Sequence, residues 1–263
     1  MSTFRSRIVV SVVLLPVVLG LAWIGGWWLF ALAVIGGLMA LHELYAMARS
    51  LRPIVLAGYI GLILTLLGAE LGGISWMVGG IFATVLVSFV VFGVSDARPS
   101  ATAAISLTVL GVIWVGGGIA SLLMLRAIPA DGRLIVFTVL IAVFADDTAA
   151  FFVGRTIGRH KMAPRISPGK SWEGFVGGAL AAMAVAFFAM YDQGFLGNLE
   201  ALALGAAIAV SATLGDLFES AIKRDLGLKD SGRVLAGHGG MLDRLDSLLW
   251  AGPAAFYVVL ALA

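Results

Sequence analysis

The chain has no cysteine, which excludes both a disulfide framework and a thiolate metal site. Charge is scarce as well. Only 12% of the 263 residues are Asp, Glu, Lys or Arg, against roughly a quarter in a soluble domain. The net charge of +2 is too small to mark a nucleic-acid partner. There is no repeat of fixed period, no low-complexity tail and no stretch that reads as a soluble domain.

What is present is apolar: 61% of the residues are hydrophobic and the mean hydropathy is +1.06. Apolar runs well beyond 18 residues, without period-two alternation, predict membrane-spanning helices rather than a barrel. The expected fold is all-α and polytopic, with about nine transmembrane helices near residues 8–24, 27–47, 54–69, 74–94, 101–125, 134–153, 175–191, 201–222 and 247–263. The run 8–41 would make a helix of about 50 Å, against a hydrocarbon core of about 30 Å. It therefore predicts two spans broken at Gly25-Gly26, with Trp23, Trp27 and Trp28 at the interface. Arg5 and Arg7 before an apolar run imitate a signal peptide, but no small-residue cleavage site with a polar start follows, so the segment is read as a retained span. His42 and Glu43 fall near the end of the second span and read as groups solvated at the interface.

Loop charge orients this chain. With the N-terminus in the cytoplasm, fifteen of the seventeen Lys and Arg fall on the cytoplasmic side, and only Arg126 and Arg133 on the other. That asymmetry obeys the positive-inside rule and puts the C-terminus outside. The chain reads as one membrane domain, with residues 1–130 mainly scaffold and 134–263 carrying the chemistry. Gly72-Gly73, Gly116-Gly117-Gly118 and the Gly174/Gly178 pair suit close helix packing.

The charge that exists is concentrated. Asp216 to Asp246 holds six carboxylates (Asp216, Glu219, Asp225, Asp230, Asp243, Asp246), five cations (Lys223, Arg224, Lys229, Arg233, Arg244) and His238, wedged between two apolar runs. Such a block is costly beside a membrane unless it has a task. Carboxylates and hydroxyls are hard oxygen ligands suited to Mg²⁺, and Lys and Arg pair with phosphate oxygens. On a helix, Asp216, Ser220 and Lys223 share one face, and Asp243 and Asp246 share another. Gly237, Gly239 and Gly240 around His238 allow a tight turn.

A second charged segment begins at Asp146 and Asp147, which interrupt the sixth apolar run. The following loop carries Arg155, Arg159, His160, Lys161, Arg165, Lys170 and Glu173. Its Gly169-Lys170-Ser171 is not a P-loop, because Pro164 stands where the leading glycine is required and no strand pattern precedes it. Ser, Gly and Lys in a turn can nevertheless cradle a phosphate. Residue chemistry alone thus points to a membrane enzyme that uses a divalent metal on a lipid-soluble, phosphate-bearing substrate.

Two stretches carry a resemblance. Ser220-x-Ile222-Lys223-Arg224-x4-Lys229-Asp230, followed by His238-Gly239-Gly240-Met241-x-Asp243-Arg244-Leu245-Asp246, resembles the signature of the phosphatidate cytidylyltransferases, or CDP-diacylglycerol synthases. Asp147-Thr148-x-Ala150-Phe151 through Gly154-Arg155, then Ser167-Pro168-Gly169-Lys170-Ser171-Trp172-Glu173-Gly174, follows the same family's pattern. Ala236 replaces a usual proline, Ala149 a common glycine and Ser171 a common threonine.

The resemblance implies transfer of CMP from CTP to phosphatidic acid, giving CDP-diacylglycerol and pyrophosphate, at the cytoplasmic face of a bacterial-type inner membrane. Asp216, Asp243 and Asp246, with Asp147 assisting, are then expected to hold Mg²⁺, with room for a second cation such as K⁺. Lys223, Arg224, Lys229 and Arg244 are expected to meet phosphate oxygens, and Ser167, Lys170 and Ser171 to close over one phosphate. Ser220 is assigned to metal or phosphate, His238 to the turn or to acid–base work, and Asp230 and Glu219 to pairing with nearby cations. Glycine-lined helix faces allow a homodimer. Competing readings are an ion-coupled transporter, disfavoured by the lack of an inverted repeat, and a cytidylyltransferase acting on another lipid phosphate. A CDP-alcohol phosphotransferase is excluded, because no Asp-Gly-x2-Ala-Arg occurs.

Overall fold

The computed structural model describes residues 15–95, 100–229, 231–232 and 240–262. Arg5, Arg7, Arg98, Asp230, Arg233 and His238, together with the turn at 236–239, lie outside the described residues. Among those described, seven helices are long and apolar enough to cross a membrane, preceded by a shorter apolar helix, α1 (Leu15–Ile24). Large side chains such as Phe82, Phe89 and Phe188 stand 66–75% exposed, a surface suited to acyl chains rather than to water. The chain is an all-α polytopic membrane protein. It divides into two compact units, Met1–Ala127 with Leu226–Leu245, and Ile128–Asp225 with Asp246–Ala263.

In the first unit, α1 stops and α2 (Gly26–Met47) starts at the predicted break. Gly25 and Gly26 both take positive φ, 74° and 56°, a conformation that costs glycine little. The Arg126 guanidinium covers the end of α1, donating to the carbonyls of Ala22 (2.8 Å), Trp23 (2.8 Å) and Ile24 (3.3 Å). The last carbonyls of a helix are left without bonds inside it and take partners from elsewhere. α3 (Val55–Val94) has 40 residues but breaks at Gly73, where φ is 66° and ψ −148°. Its halves fold back on each other. A methyl at Gly68 would strike the Trp76 backbone, and one at Gly80 would lie 2.6 Å from Thr65 Cα. Gly73 therefore makes a turn, not the packing contact the sequence suggested.

A continuous helical run follows, in three parts: α4 (Ala101–Gly111), a π-turn at Val112–Gly116 and α5 (Gly117–Arg126). It packs on α2 and α3. Thr108 fastens it in place. Its hydroxyl accepts the Ile54 N–H at 2.8 Å and donates to the Ala104 carbonyl, while Tyr45 donates its phenol to the Thr108 carbonyl at 2.7 Å. Gly116 makes only ordinary van der Waals contacts and Gly117 faces open space, so these two serve the π-turn rather than a close crossing.

In the second unit, α6 (Gly132–Ile157) leads into a hairpin that the sequence showed only as a charged loop: β1 (Lys161–Ala163) antiparallel to β2 (Ser167–Ser171). Then come α7 (Trp172–Met190), α8 (Asn198–Asp225) and the greater part of α9 (Leu242–Leu262). α7 packs along both α6 and α8. Gly174, Gly177 and Gly178 press it onto α6, where added methyls would strike the Ala150 carbonyl, Val153 and Asp146. Gly205 brings α8 against the Met183 backbone, and Gly215 brings it against α9 at the Asp246 carbonyl and Trp250. Small residues permitting backbone approach are what helix pairs in lipid require.

Candidate active site

The second unit holds a cleft of about 620 Å³, built by the end of α6, the hairpin, the start of α7 and the polar face of α8. Every wall has a local cause. On α6, consecutive residues point about 100° apart, so Asp146 and Asp147 cannot share a direction. Asp146 is buried, 2% exposed, against Gly178, and its Oδ1 has no hydrogen-bond partner among the described residues. Asp147 is exposed and lines the cleft. One turn or more further on come Gly154, Arg155 and Gly158, then Lys161 from β1.

The hairpin is fixed at its base by Glu173, in the first turn of α7. Its carboxylate accepts the backbone N–H of Arg159 (3.1 Å) and of His160 (3.2 Å), and it meets His160 Nδ1 at 2.6 Å. Trp172 N–H closes the hairpin on the His160 carbonyl at 2.9 Å. Ser171 is buried and caps α7, its hydroxyl accepting the Gly174 N–H at 3.2 Å, as N-cap serines do. A methyl at Gly158 would strike that hydroxyl and the Gly154 carbonyl, while methyls at Gly154 and Gly174 would come 3.1 and 3.2 Å from the hydroxyl. Ser167 and Gly169 lie along the cleft wall.

Among the described residues an ion pair spans the cleft. Lys170 reaches from β2 to α8, placing Nζ 2.8 Å from Asp216 Oδ2 and 3.3 Å from the Thr213 carbonyl it donates to. Ser220, one turn along α8, donates its hydroxyl to Asp216 Oδ1 at 3.3 Å. Lys223 turns to buried Glu219 at 3.3 Å, the pairing anticipated for Glu219. Arg224 donates through Nε to the Ile166 carbonyl at 3.4 Å and so ties the end of α8 to the hairpin turn. Asp246, in the same unit, accepts the Ser247 N–H at 2.7 Å.

The remaining site residues belong to the first unit. Asp243 accepts the N–H groups of Ser231 (3.1 Å) and Gly240 (2.9 Å). Lys229 and Arg244 are exposed. His238 lies outside the described residues. Glu43 corrects the sequence reading: instead of being solvated at an interface it is 2% exposed and accepts the Leu242 N–H at 2.8 Å. A carboxylate inside an otherwise apolar helix was the signal available for it.

Among the described residues no three Asp, Glu or His side chains are gathered closely enough to hold a metal ion. The donor set nevertheless suits Mg²⁺. Asp216 is already an anionic seat for a cation, taken here by the Lys170 ammonium, and a methyl at Gly215 would close the approach of α8 to Asp246. Hard carboxylate and hydroxyl oxygens are what Mg²⁺ prefers.

Fold and cleft together define a class, an integral membrane protein whose helix ends offer cations, hydroxyls and carboxylates to phosphate groups. The chain belongs to the cytidylyltransferase family, whose profile matches residues 5–262. It is 34% identical to the phosphatidate cytidylyltransferase of Mycobacterium bovis, over 87% of this chain and 79% of that one. It is also 34% identical to the phosphatidate cytidylyltransferases of Bacillus subtilis, over 85% of each chain, and of Brucella suis, over 98% of this chain and 93% of that one.

Proposed function

We propose that this protein transfers CMP from CTP to phosphatidic acid, releasing pyrophosphate and leaving CDP-diacylglycerol in the membrane. The observation that carries the reading is the Lys170–Asp216 pair inside a cleft also lined by Arg155, Lys161 and Ser167. It puts phosphate-binding cations beside a cation-binding carboxylate at the ends of membrane helices. Relatives named for this reaction match the chain along most of its length.

The reaction is one displacement. A phosphate oxygen of phosphatidic acid attacks the α-phosphorus of CTP, and the bond from that phosphorus to the bridging oxygen of the β-phosphate breaks. No protein nucleophile is needed, because the work is positioning and charge neutralisation. Lys170, Arg155 and Lys161 bind triphosphate oxygens, and Ser167 orients them. As phosphate arrives, Lys170 exchanges its bond to Asp216 for one to the substrate. Asp216 and Asp246, with Asp147 assisting, would hold Mg²⁺, and the resemblance adds Asp243 to this set. When bound, the metal supplies neutralisation of the triphosphate and of departing pyrophosphate. Lys223, Arg224, Lys229 and Arg244 are proposed to serve the lipid phosphate.

The reading places the cleft at the cytoplasmic face of an inner membrane. It uses nine spans with the N-terminus inside and the C-terminus outside. The fold-back of α3 at Gly73 supports that count, as does the single helical run from Ala101 to Arg126.

Purified protein in mixed micelles, given each nucleoside triphosphate with phosphatidate and then CTP with several lipid phosphates, tests the reading. Mg²⁺-dependent CDP-diacylglycerol formation restricted to cytidine triphosphates and phosphatidate supports it. Equal use of a prenyl phosphate, or no product with any pair, overturns it.

A further inference from the structure

Glu43 lies on α2 and belongs to neither charged stretch of the sequence, yet its carboxylate gathers both ends of the segment that carries Asp243. Its Oε2 accepts the Leu242 N–H at 2.8 Å and the Ser231 hydroxyl at 3.4 Å. Gly232 and Gly240 lie flat on the same group. A methyl at Gly232 would come 2.8 Å from Oε1, and one at Gly240 would overlap Oε2 and the Ser231 hydroxyl. The amides of Ser231 and Gly240 also donate to the Asp243 carboxylate. All of these residues belong to the first unit.

The physical cost makes the arrangement informative. A carboxylate at 2% exposure loses its hydration, whereas an apolar side chain would fill the same space on α2 without that cost. What the carboxylate offers in return is an anion at the start of α9, where the first N–H groups lack helical partners and the helix dipole favours negative charge. It also offers an acceptor for Ser231, eleven residues before the start of α9. One side chain thereby joins residue 231 to residue 242.

We propose that Glu43 is a positioning residue for cytidylyl transfer. It touches no substrate. It fixes Ser231, Gly240 and the first turn of α9, and through them sets the orientation of Asp243. This rests on the function proposed above, and two separate readouts keep the inferences apart.

The experiment compares wild type, Glu43→Ala and Glu43→Gln, purified in detergent, by turnover with CTP and phosphatidate over a range of Mg²⁺ and by amide hydrogen exchange without substrates. Glutamine keeps one oxygen where Oε2 accepts both the Leu242 N–H and the Ser231 hydroxyl, so Glu43→Gln should retain most of the turnover. Glu43→Ala should lose about 10–100-fold in kcat, the cost usual for a group that orients a ligating residue. Its KM for CTP should stay unchanged and its half-saturating Mg²⁺ should rise. Exchange should quicken at Ser231, Gly240 and Leu242 while α6, α7 and α8 keep their protection.

Wild-type kcat and exchange in Glu43→Ala overturn the proposal. So does equal impairment of Glu43→Gln and Glu43→Ala with exchange unchanged, which would mark a charge acting directly. A uniform rise in exchange across α2 to α5 assigns Glu43 to stability alone and also overturns it. If Glu43→Ala does not fold, Gly240→Ala takes its place: its methyl enters the same clamp, and undiminished kcat there is equally fatal. A wild type inactive with CTP and phosphatidate refutes the proposed function instead, while the exchange data still decide whether the clamp exists.

Discussion

Lys170 and Asp216 make the charge balance of the cleft depend on two side chains from different elements. The account expects Lys170→Ala to lower kcat/KM by about 10²–10³-fold, the usual loss when one group that stabilises transition-state charge is removed. Lys170→Arg should lose less but not nothing, because a planar guanidinium cannot occupy the ammonium's place between Asp216 and the Thr213 carbonyl. Steady-state kinetics with CTP varied at saturating phosphatidate checks both. Ser171 invites a sharper test, since its hydroxyl caps α7. Ser171→Thr should leave stability near wild type, whereas Ser171→Ala should cost about 1 kcal/mol, read as a shift in thermal unfolding.

At this scale the sequence was informative where residues came in motifs. Asp147, Ser167, Lys170 and Asp216 could be picked out in advance, and they line one cleft. Glu43 could not be placed, because a lone carboxylate in an apolar helix says that a partner is needed without saying which. Its partners, the Leu242 N–H and the Ser231 hydroxyl, lie nearly 200 residues away, and neither a backbone amide nor a lone serine marks such a pairing in a sequence.

The elements follow from hydropathy, and their details from glycine. The runs of apolar residues located the helices to within a few residues, because length and burial in lipid dominate over capping preferences. The helices outrun the apolar spans at their charged ends, as the helical spacing of Asp216, Ser220 and Lys223 and of Asp243 and Asp246 implied. Hydropathy places the edge of a span where charge begins, but α8 continues through Lys223 and Arg224 to Asp225, and α9 starts at Leu242 ahead of Asp243. A helix already nucleated in lipid propagates cheaply into polar sequence. The β1–β2 hairpin was hidden for the opposite reason. Its strands are short and charged, and Glu173 and Trp172 hold it rather than any alternating pattern.

Two substitutions test the glycine assignments. Gly73→Ala must place a Cβ at φ 66° and ψ −148°, a region nearly exclusive to glycine, and should cost about 1–3 kcal/mol of stability. Thermal unfolding in detergent would show it, and an unchanged midpoint would contradict the fold-back of α3. Gly178→Val should force α7 off α6 at Asp146, with an overpacking cost of about 1–3 kcal/mol. Activity should fall with it, since Asp147 neighbours Asp146 on the cleft wall.

For the whole molecule, the lack of cysteine becomes an experimental asset, because single cysteines can be introduced without background. Cysteines at Arg165, in the hairpin turn, and at Lys229 should react with an impermeant maleimide only from the cytoplasmic side. One at Ala130, between α5 and α6, should react only from the other side. Labelling of positions 165 and 229 from opposite sides would remove the shared phosphate-handling face on which the mechanism relies. The expected orientation rests on fifteen cations against two, and this labelling is its test.

The central claim is that Asp216 and the residues around it carry nucleotidyl transfer to a lipid phosphate. The most direct measurement is transfer of label from α-³²P CTP into lipid by wild type and by Asp216→Asn, matched for helical content by circular dichroism. The account predicts labelled CDP-diacylglycerol from wild type only when phosphatidate is present, with one pyrophosphate released per lipid labelled. It predicts a loss of about 10²-fold or more in the variant, as expected when a charge-stabilising group is removed. Labelling by Asp216→Asn at the wild-type rate would contradict it.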